Sequence, residues 1–250
     1  MIERNVEIET SQGKMPTFIV RPDGNGPFPV ILFYMDAPAI REELYDMSRR
    51  IAGEGYYVLL PDLFYRFGVI RFPFRNARTR VIWQAAMADM SNAEVMDDTR
   101  AMFASLDQDP AAGKGPVGCI GFCMSGRLVT TAAGTFPERI TAMCSMYGVG
   151  IVTAKEDSPH FRVKDIRAEC YFSFAETDAT VPAYVIPTLK AELDARGTHY
   201  RLDVHPGTSH GFSFPSRDIY HREAAEKCWS IFFDLCARQL KSPHARTTAD

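Results

Sequence analysis

The sequence predicts an α/β protein with a mainly parallel sheet covered by helices on both faces, and three observations carry that prediction. Short apolar runs rich in Val, Ile, Leu and Phe recur along the chain, too continuous for strands with one wet face. Segments of helical spacing lie between them. Glycine- or proline-bearing breaks close most of the runs. The chain has 250 residues, 46% hydrophobic and 24% charged, which is globular and not disordered composition. A chain this long can build a large core, and it reads as one domain over 1–240 with a polar, frayed tail at 241–250.

In chain order, residues 3–11 and 16–21 flank Gln12-Gly13-Lys14 and read as a hairpin. Pro29 to Tyr34 follows a Gly/Pro turn and reads as a buried strand. Residues 41–54 have helical spacing, with Leu44, Met47, Ile51 and Ala52 on one face. Tyr56 to Leu60 is the next strand, closed by Pro61-Asp62. Residues 63–80 break the rhythm: Arg66, Arg71, Arg75, Arg78 and Arg80 sit among aromatics in what reads as a long excursion. One long helix is expected over about 83–107. A strand at 115–120, a helix at 124–135 and strands at 140–146 and 170–175 follow. A helix at 183–196, a strand at 200–204 and an amphipathic helix at 221–240 complete the pattern.

Charge and cysteine usage narrow the function. With 28 basic and 31 acidic residues the net charge is −3, so nothing global draws the chain to nucleic acid or an anionic membrane. The start, Met1-Ile2-Glu3-Arg4-Asn5, lacks the basic-then-apolar pattern of a signal peptide, and the longest apolar runs are too short to span a bilayer. A soluble, cytoplasmic protein is expected. The six cysteines, at 119, 123, 144, 170, 228 and 236, form no C-x-x-C pair, and each is by default a reduced, buried hydrophobe. Histidines and cysteines lack zinc-ligand spacing, so neither metal nor cofactor is expected. The sequence is silent on oligomeric state.

In sheets of this kind chemistry gathers at the carboxyl ends of the strands. One strand end carries Gly121-Phe122-Cys123-Met124-Ser125-Gly126 ahead of a helix. That pattern suits a nucleophile elbow, whose sharp reversal strains the central residue and demands small residues two before and two after it. Cys123 would sit at the amino end of the helix, where the dipole favours thiolate. The Met124 N–H would face a developing oxyanion. The competing reading is a structural cysteine in an ordinary strand–helix turn. The order nucleophile, acid, histidine then directs attention downstream. His205, at a strand end, reads as structural; His210, in a loop before Gly211, is the candidate base. Asp178, facing the strand tips ahead of Val181-Pro182, is the candidate acid that holds the imidazole, with Glu176 in reserve. An Asx turn or helix cap is the plainer role for Asp178.

Taken together, Gly121 to Gly126, Asp178 with Val181-Pro182, and His210-Gly211-Phe212 resemble the three motif blocks of the dienelactone hydrolase family. Pro29 to Asp36, Pro61 to Phe64 and Trp83-Gln84-Ala85 add to the likeness, which runs from about residue 25 to 240. The resemblance implies an α/β-hydrolase fold, a cysteine nucleophile and hydrolysis of dienelactones. It implies that Asp36 stands where the family has a glutamate contacting the resting thiol, although Asp36 could equally cap the helix beginning near Ile40. It makes the Ala37 N–H a second oxyanion donor. The family binds the substrate carboxylate with arginines. One of these, four residues after the histidine, is here Phe214; the other is matched by Arg78 or Arg80. Ser125 replaces a family glycine. Met35, Phe64, Trp83 and Phe212 suggest an apolar pocket in place of the charged one, or simply core. The expected reaction is hydrolysis of a small-molecule lactone or ester through an acyl-enzyme. Rivals are a carboxylesterase, thioesterase or peptidase on the same scaffold, and a non-catalytic ligand-binding homologue.

Overall fold

The computed structural model describes residues 1–72 and 74–241. Strands β1 (Ile2–Thr10) and β2 (Gly13–Arg21) form the expected hairpin, pairing Thr10 with Gly13 and Ile2 with Arg21. Strands β3 (Phe28–Tyr34), β4 (Tyr57–Pro61), β5 (Ala112–Phe122), β6 (Ile140–Met146), β7 (Glu169–Thr177) and β8 (Tyr200–Ser209) complete an eight-stranded sheet. Its order is β1-β2-β4-β3-β5-β6-β7-β8. Every neighbouring pair from β4 to β8 is parallel, and only β2 runs against the rest. Val30, Ile31, Leu32, Phe33 and Tyr34 on β3 are all buried, as a central parallel strand with both faces covered requires.

Helices α1 (Glu42–Gly53), α2 (Ala77–Asp89), α3 (Asn92–Gln108), α4 (Ser125–Thr135), α5 (Val185–Arg196) and α6 (Arg222–Cys236) flank the sheet. The single helix expected over 83–107 is two. A first capping box, Asn76 with Thr79, starts α2 inside the arginine-rich excursion. A second, Ser91 with Glu94, ends that helical run and starts α3. Each box satisfies two otherwise orphan backbone donors reciprocally, which makes a new helix start cheaper than continuation.

The excursion is pinned by charge. Arg66 donates to both oxygens of Asp98 on α3 at 2.9 Å, and the Tyr65 hydroxyl donates to the same carboxylate at 2.8 Å. Arg71 pairs with Asp62 at 2.6 Å. Strand β8 outruns its expected end at Val204: after an irregularity between Ala175 and Thr177 of β7 the pairing resumes at Thr177 with Ser209. His205 is therefore an interior strand residue, and His210 is the first residue past the strand. Beyond α6 the chain adds a π-helical turn, Ala237–Lys241. The rest of the tail expected at 241–250 lies outside the described residues.

Candidate active site

Five parallel strands deliver one polar or reactive side chain each at, or just past, their carboxyl ends: Asp36 after β3, Cys123 after β5, Tyr147 after β6, Asp178 after β7 and His210 after β8. Cys123, Asp36, Tyr147 and His210 line one cavity of about 280 Å³.

Cys123 adopts a left-handed backbone, φ 54°, which costs a residue with a Cβ about 1–2 kcal/mol. The turn is over-determined by its neighbours. The Cys123 N–H donates to the Met146 carbonyl at 3.0 Å, and its own carbonyl accepts from Gly126 at 3.0 Å and Val149 at 2.9 Å. A Cβ at Gly121 would lie 2.6 Å from the Ser125 carbonyl oxygen, and one at Gly126 would lie 2.2 Å from the Gly148 Cα. The Ser125 hydroxyl is tied to the Met35 carbonyl, anchoring α4 to the end of β3.

His210 Nδ1 donates to Asp178 Oδ2 at 2.6 Å. The other carboxylate oxygen accepts from the Thr180 hydroxyl at 2.5 Å and the Thr180 N–H at 2.9 Å. Asp178 thus makes an Asx turn and binds the histidine at once. Burial would discharge His210, but its hydrogen bond to Asp178, together with the neighbouring Cys123, overrides it and raises the imidazole to about 9. Burial likewise works to raise Asp178, yet the His210 and Thr180 contacts hold it below the usual carboxylate range. Tyr147, itself at φ 39°, sets its ring edge-on to His210 at 5.1 Å and shares a 2.7 Å hydrogen bond with Ser213.

Asp36 takes neither position open to it in the sequence reading. Arg41 Nη1 and Nη2 donate to its two oxygens at 2.5 and 3.1 Å, and Arg75 stands 3.9 Å away. Helix α1 starts at Arg41 with no side-chain cap, so Asp36 does not cap it, and its hydrogen bonds go to Arg41 and not to the thiol. Ala37 is on the cavity wall and Met124 follows the elbow. Among the described residues, neither of their N–H groups meets an acceptor.

The cavity wall is largely apolar, with three arginines set into it. Arg75, Arg80 and Arg217 line it with Trp83, Gln84, Met87, Val149 and Phe214. Burial and the nearby Arg41 guanidinium hold Arg75 below the ordinary arginine range. Phe214 is buried under two guanidiniums, Arg41 at 4.8 Å and Arg75 at 5.8 Å from its ring. Arg78, the alternative to Arg80, lies off the cavity wall, and Met35, Phe64 and Phe212 are core residues. Sequence reasoning missed Arg217, which reaches back so that Nη1 donates to the His210 carbonyl at 2.8 Å. Gly211 makes room for it: a Cβ there would sit 1.6 Å from Arg217 Nη1. Thr180 and Tyr147 were missed as well; Asp178-x-Thr180 is an Asx-turn signal that could have pointed to the first.

Arg127 on α4 joins the cavity wall to the elbow. Its Nη2 donates to the Met87 and Met90 carbonyls at 3.2 and 2.8 Å, and its Nη1 to Asn92 Oδ1 at 3.3 Å, where α2 gives way to α3. Among the described residues no three His, Cys, Asp or Glu side chains are grouped to hold a metal ion, and no helix is long and apolar enough to cross a membrane.

The family model for the dienelactone hydrolase family matches residues 15–240. The protein named "Putative carboxymethylenebutenolidase" from Methylorubrum extorquens is 28% identical over 237 residues, covering 94% of this chain and 80% of its own. The crystal structure of a "Putative Dienelactone Hydrolase" from Klebsiella pneumoniae superposes with TM-score 0.83 at 23% identity, covering 93% of this chain and 98% of that one. The acylaminoacyl peptidase of Pyrococcus horikoshii superposes with TM-score 0.75 at 15% identity, covering 99% of this chain and 43% of that one. These likenesses establish the α/β-hydrolase fold. By the extent of the family match, this chain belongs to the dienelactone hydrolase family.

Proposed function

We propose that the protein is a cysteine-dependent hydrolase of a small lactone or ester that carries a carboxylate, working through an acyl-enzyme. The observation that carries the reading is the 2.6 Å Asp178–His210 hydrogen bond on the wall of the cavity that Cys123 enters from a left-handed elbow. An imidazole raised to about 9 is protonated at neutral pH and suits a thiolate–imidazolium pair. Thiolate sulfur attacks the carbonyl carbon, and the C=O electron pair moves to oxygen, where the Ala37 and Met124 N–H groups receive it. Collapse expels the leaving oxygen, which takes the imidazolium proton. The neutral imidazole then removes a proton from water, hydroxide attacks the thioester, and thiolate departs as the pair is restored. Asp178 holds the ring with Nδ1 protonated throughout.

Three arginines in the cavity of a chain with net charge −3 support a carboxylate-bearing substrate. Arg217 offers, from seven residues past the histidine, the cation that Phe214 does not. Trp83, Met87 and Val149 suit a flat apolar body.

The test uses cysteine burial. Cys119, Cys144, Cys170, Cys228 and Cys236 are free and buried, and only Cys123 is partly open. Iodoacetamide should add one adduct to the native protein, at Cys123, and abolish hydrolysis of p-nitrophenyl acetate and of a dienelactone together. Hydrolysis that survives Cys123→Ala removes the nucleophile from the account. An unreactive Cys123 with no hydrolysis by the intact protein favours a ligand-binding homologue.

A further inference from the structure

Helix α2 has two working faces, of which the cavity uses one. At 3.6 residues per turn, Arg80, Trp83, Gln84 and Met87 fall together, and these line the cavity. On the opposite side Arg78, Ile82, Ala85 and Asp89 form a stripe of i, i+4, i+7, i+11 spacing. That face is apolar in its middle: Val81 is 67% and Ile82 50% exposed. It opens onto a groove lined by Phe67, Ile70, Val81, Ile82, Ala85 and Ala86. Phe67, Val69, Phe74, Val81 and Ile82 make up half of the large apolar side chains exposed among the described residues. Concentration of this kind in one segment marks a contact surface.

The order of chemistry along the stripe identifies the occupant. About its midpoint, between Trp83 and Gln84, Arg78 reflects onto Asp89 and Ile82 onto Ala85. Arg78 and Asp89 are both exposed, and among the described residues neither side chain has an ion pair or a hydrogen bond. A sequence that maps onto its charge complement under reversal suits an isologous two-fold contact, where residue i meets j and j meets i. We propose that two copies of this chain associate through α2 laid antiparallel on α2. Arg78 of each copy then faces Asp89 of the other, with Ile82 and Ala85 closed between them. A helix pair alone is short of the roughly 1,200–2,000 Å² that a stable contact buries, so Phe67, Val69 and Phe74 join the contact at its flanks. An anionic lipid surface would select a stripe of one sign, whereas this one ends in both. The two ion pairs fix the direction of the helices more than they add affinity.

Sedimentation velocity on the full chain, from micromolar to hundreds of micromolar, tests the proposal. The wild type should reach twice the 28.1 kDa chain mass. Ile82→Glu should hold it at the single-chain mass. Arg78→Asp and Asp89→Arg should each raise the dissociation constant about tenfold, because each places like charges opposite one another twice per dimer. The double variant Arg78→Asp/Asp89→Arg should recover wild-type association, since every contact is reversed at once. Near-UV dichroism identifies any variant that has lost its fold; Ala85→Glu, on the same stripe, then takes its place. A wild type that stays at the single-chain mass overturns the proposal. So does a dimer that survives the glutamate, or a double variant no better than the singles.

Discussion

Asp178→Asn keeps the shape of the acid and removes its charge, so it isolates what the carboxylate does to His210. The imidazole rises from its ordinary 6.5 to about 9 against the opposing effect of burial. At roughly 1.4 kcal/mol per pH unit, that is about 3 kcal/mol in favour of the imidazolium. Two neighbours share the work, Asp178 and Cys123. Loss of one should bring the histidine down by at least about one pH unit. The falling limb of kcat/KM for p-nitrophenyl acetate should therefore move from near 9 to 8 or below. In addition, kcat should fall by on the order of 10³–10⁴ as the ring loses its tautomer. Linkage gives an independent readout. The folded-state value is raised, so the stabilisation is complete below the unfolded 6.5 and is lost as pH rises through 9. The difference in urea stability between wild type and variant should be widest near pH 6 and close towards pH 10. A limb that stays near 9, with a stability difference flat in pH, would refute the electrostatic role assigned to Asp178.

Thr180→Val removes the hydroxyl on Asp178 Oδ1 and should lower kcat several-fold with little change in KM, while Thr180→Ser restores it; equal damage from both variants would point to packing. Arg217→Met should raise KM for a carboxylate-bearing ester roughly 10-fold or more, the worth of one charge-assisted hydrogen bond, and leave neutral p-nitrophenyl acetate within about 2-fold. Equal losses on both substrates would make Arg217 a support for the His210 loop and not an anion contact. Gly126→Ala puts a methyl 2.2 Å from the Gly148 Cα, where only backbone can yield. It should cost about 3 kcal/mol or prevent folding, read by urea titration, and a loss under 1 kcal/mol would show that the elbow is looser than its contacts imply.

What the sequence made legible was local or periodic. The elbow could be read because sterics restrict its neighbours to small residues, and the Gly121 and Gly126 contacts give the reason. The parallel direction of the strands from β3 onward followed from alternation with helices, whereas their order did not. The break between α2 and α3 was written in Ser91 and Glu94 yet was masked by helical spacing that continues across it. Pro206-Gly207 reads as a turn, but those residues form a bulge within β8, which regains its pairing with β7 at Ser209. Arg217 and the Asp36–Arg41 pair could not be read at all, because long side chains return to the site from loops whose path depends on packing. The apolar pocket was legible in part: Trp83 lines the cavity, Met35, Phe64 and Phe212 lie in the core, and the cations on the wall come from Arg75, Arg80 and Arg217 and not from position 214.

Arg127 grips α2 through main-chain carbonyls at Met87 and Met90, groups that every amino acid supplies. Side chains on the inner turn of that helix can therefore be exchanged without loosening its hold on the segment that presents the sulfur. Substrate preference and chemical competence are in this way separable by mutation: variation at Trp83 or Gln84 can retune what enters while the reactive geometry is inherited unchanged.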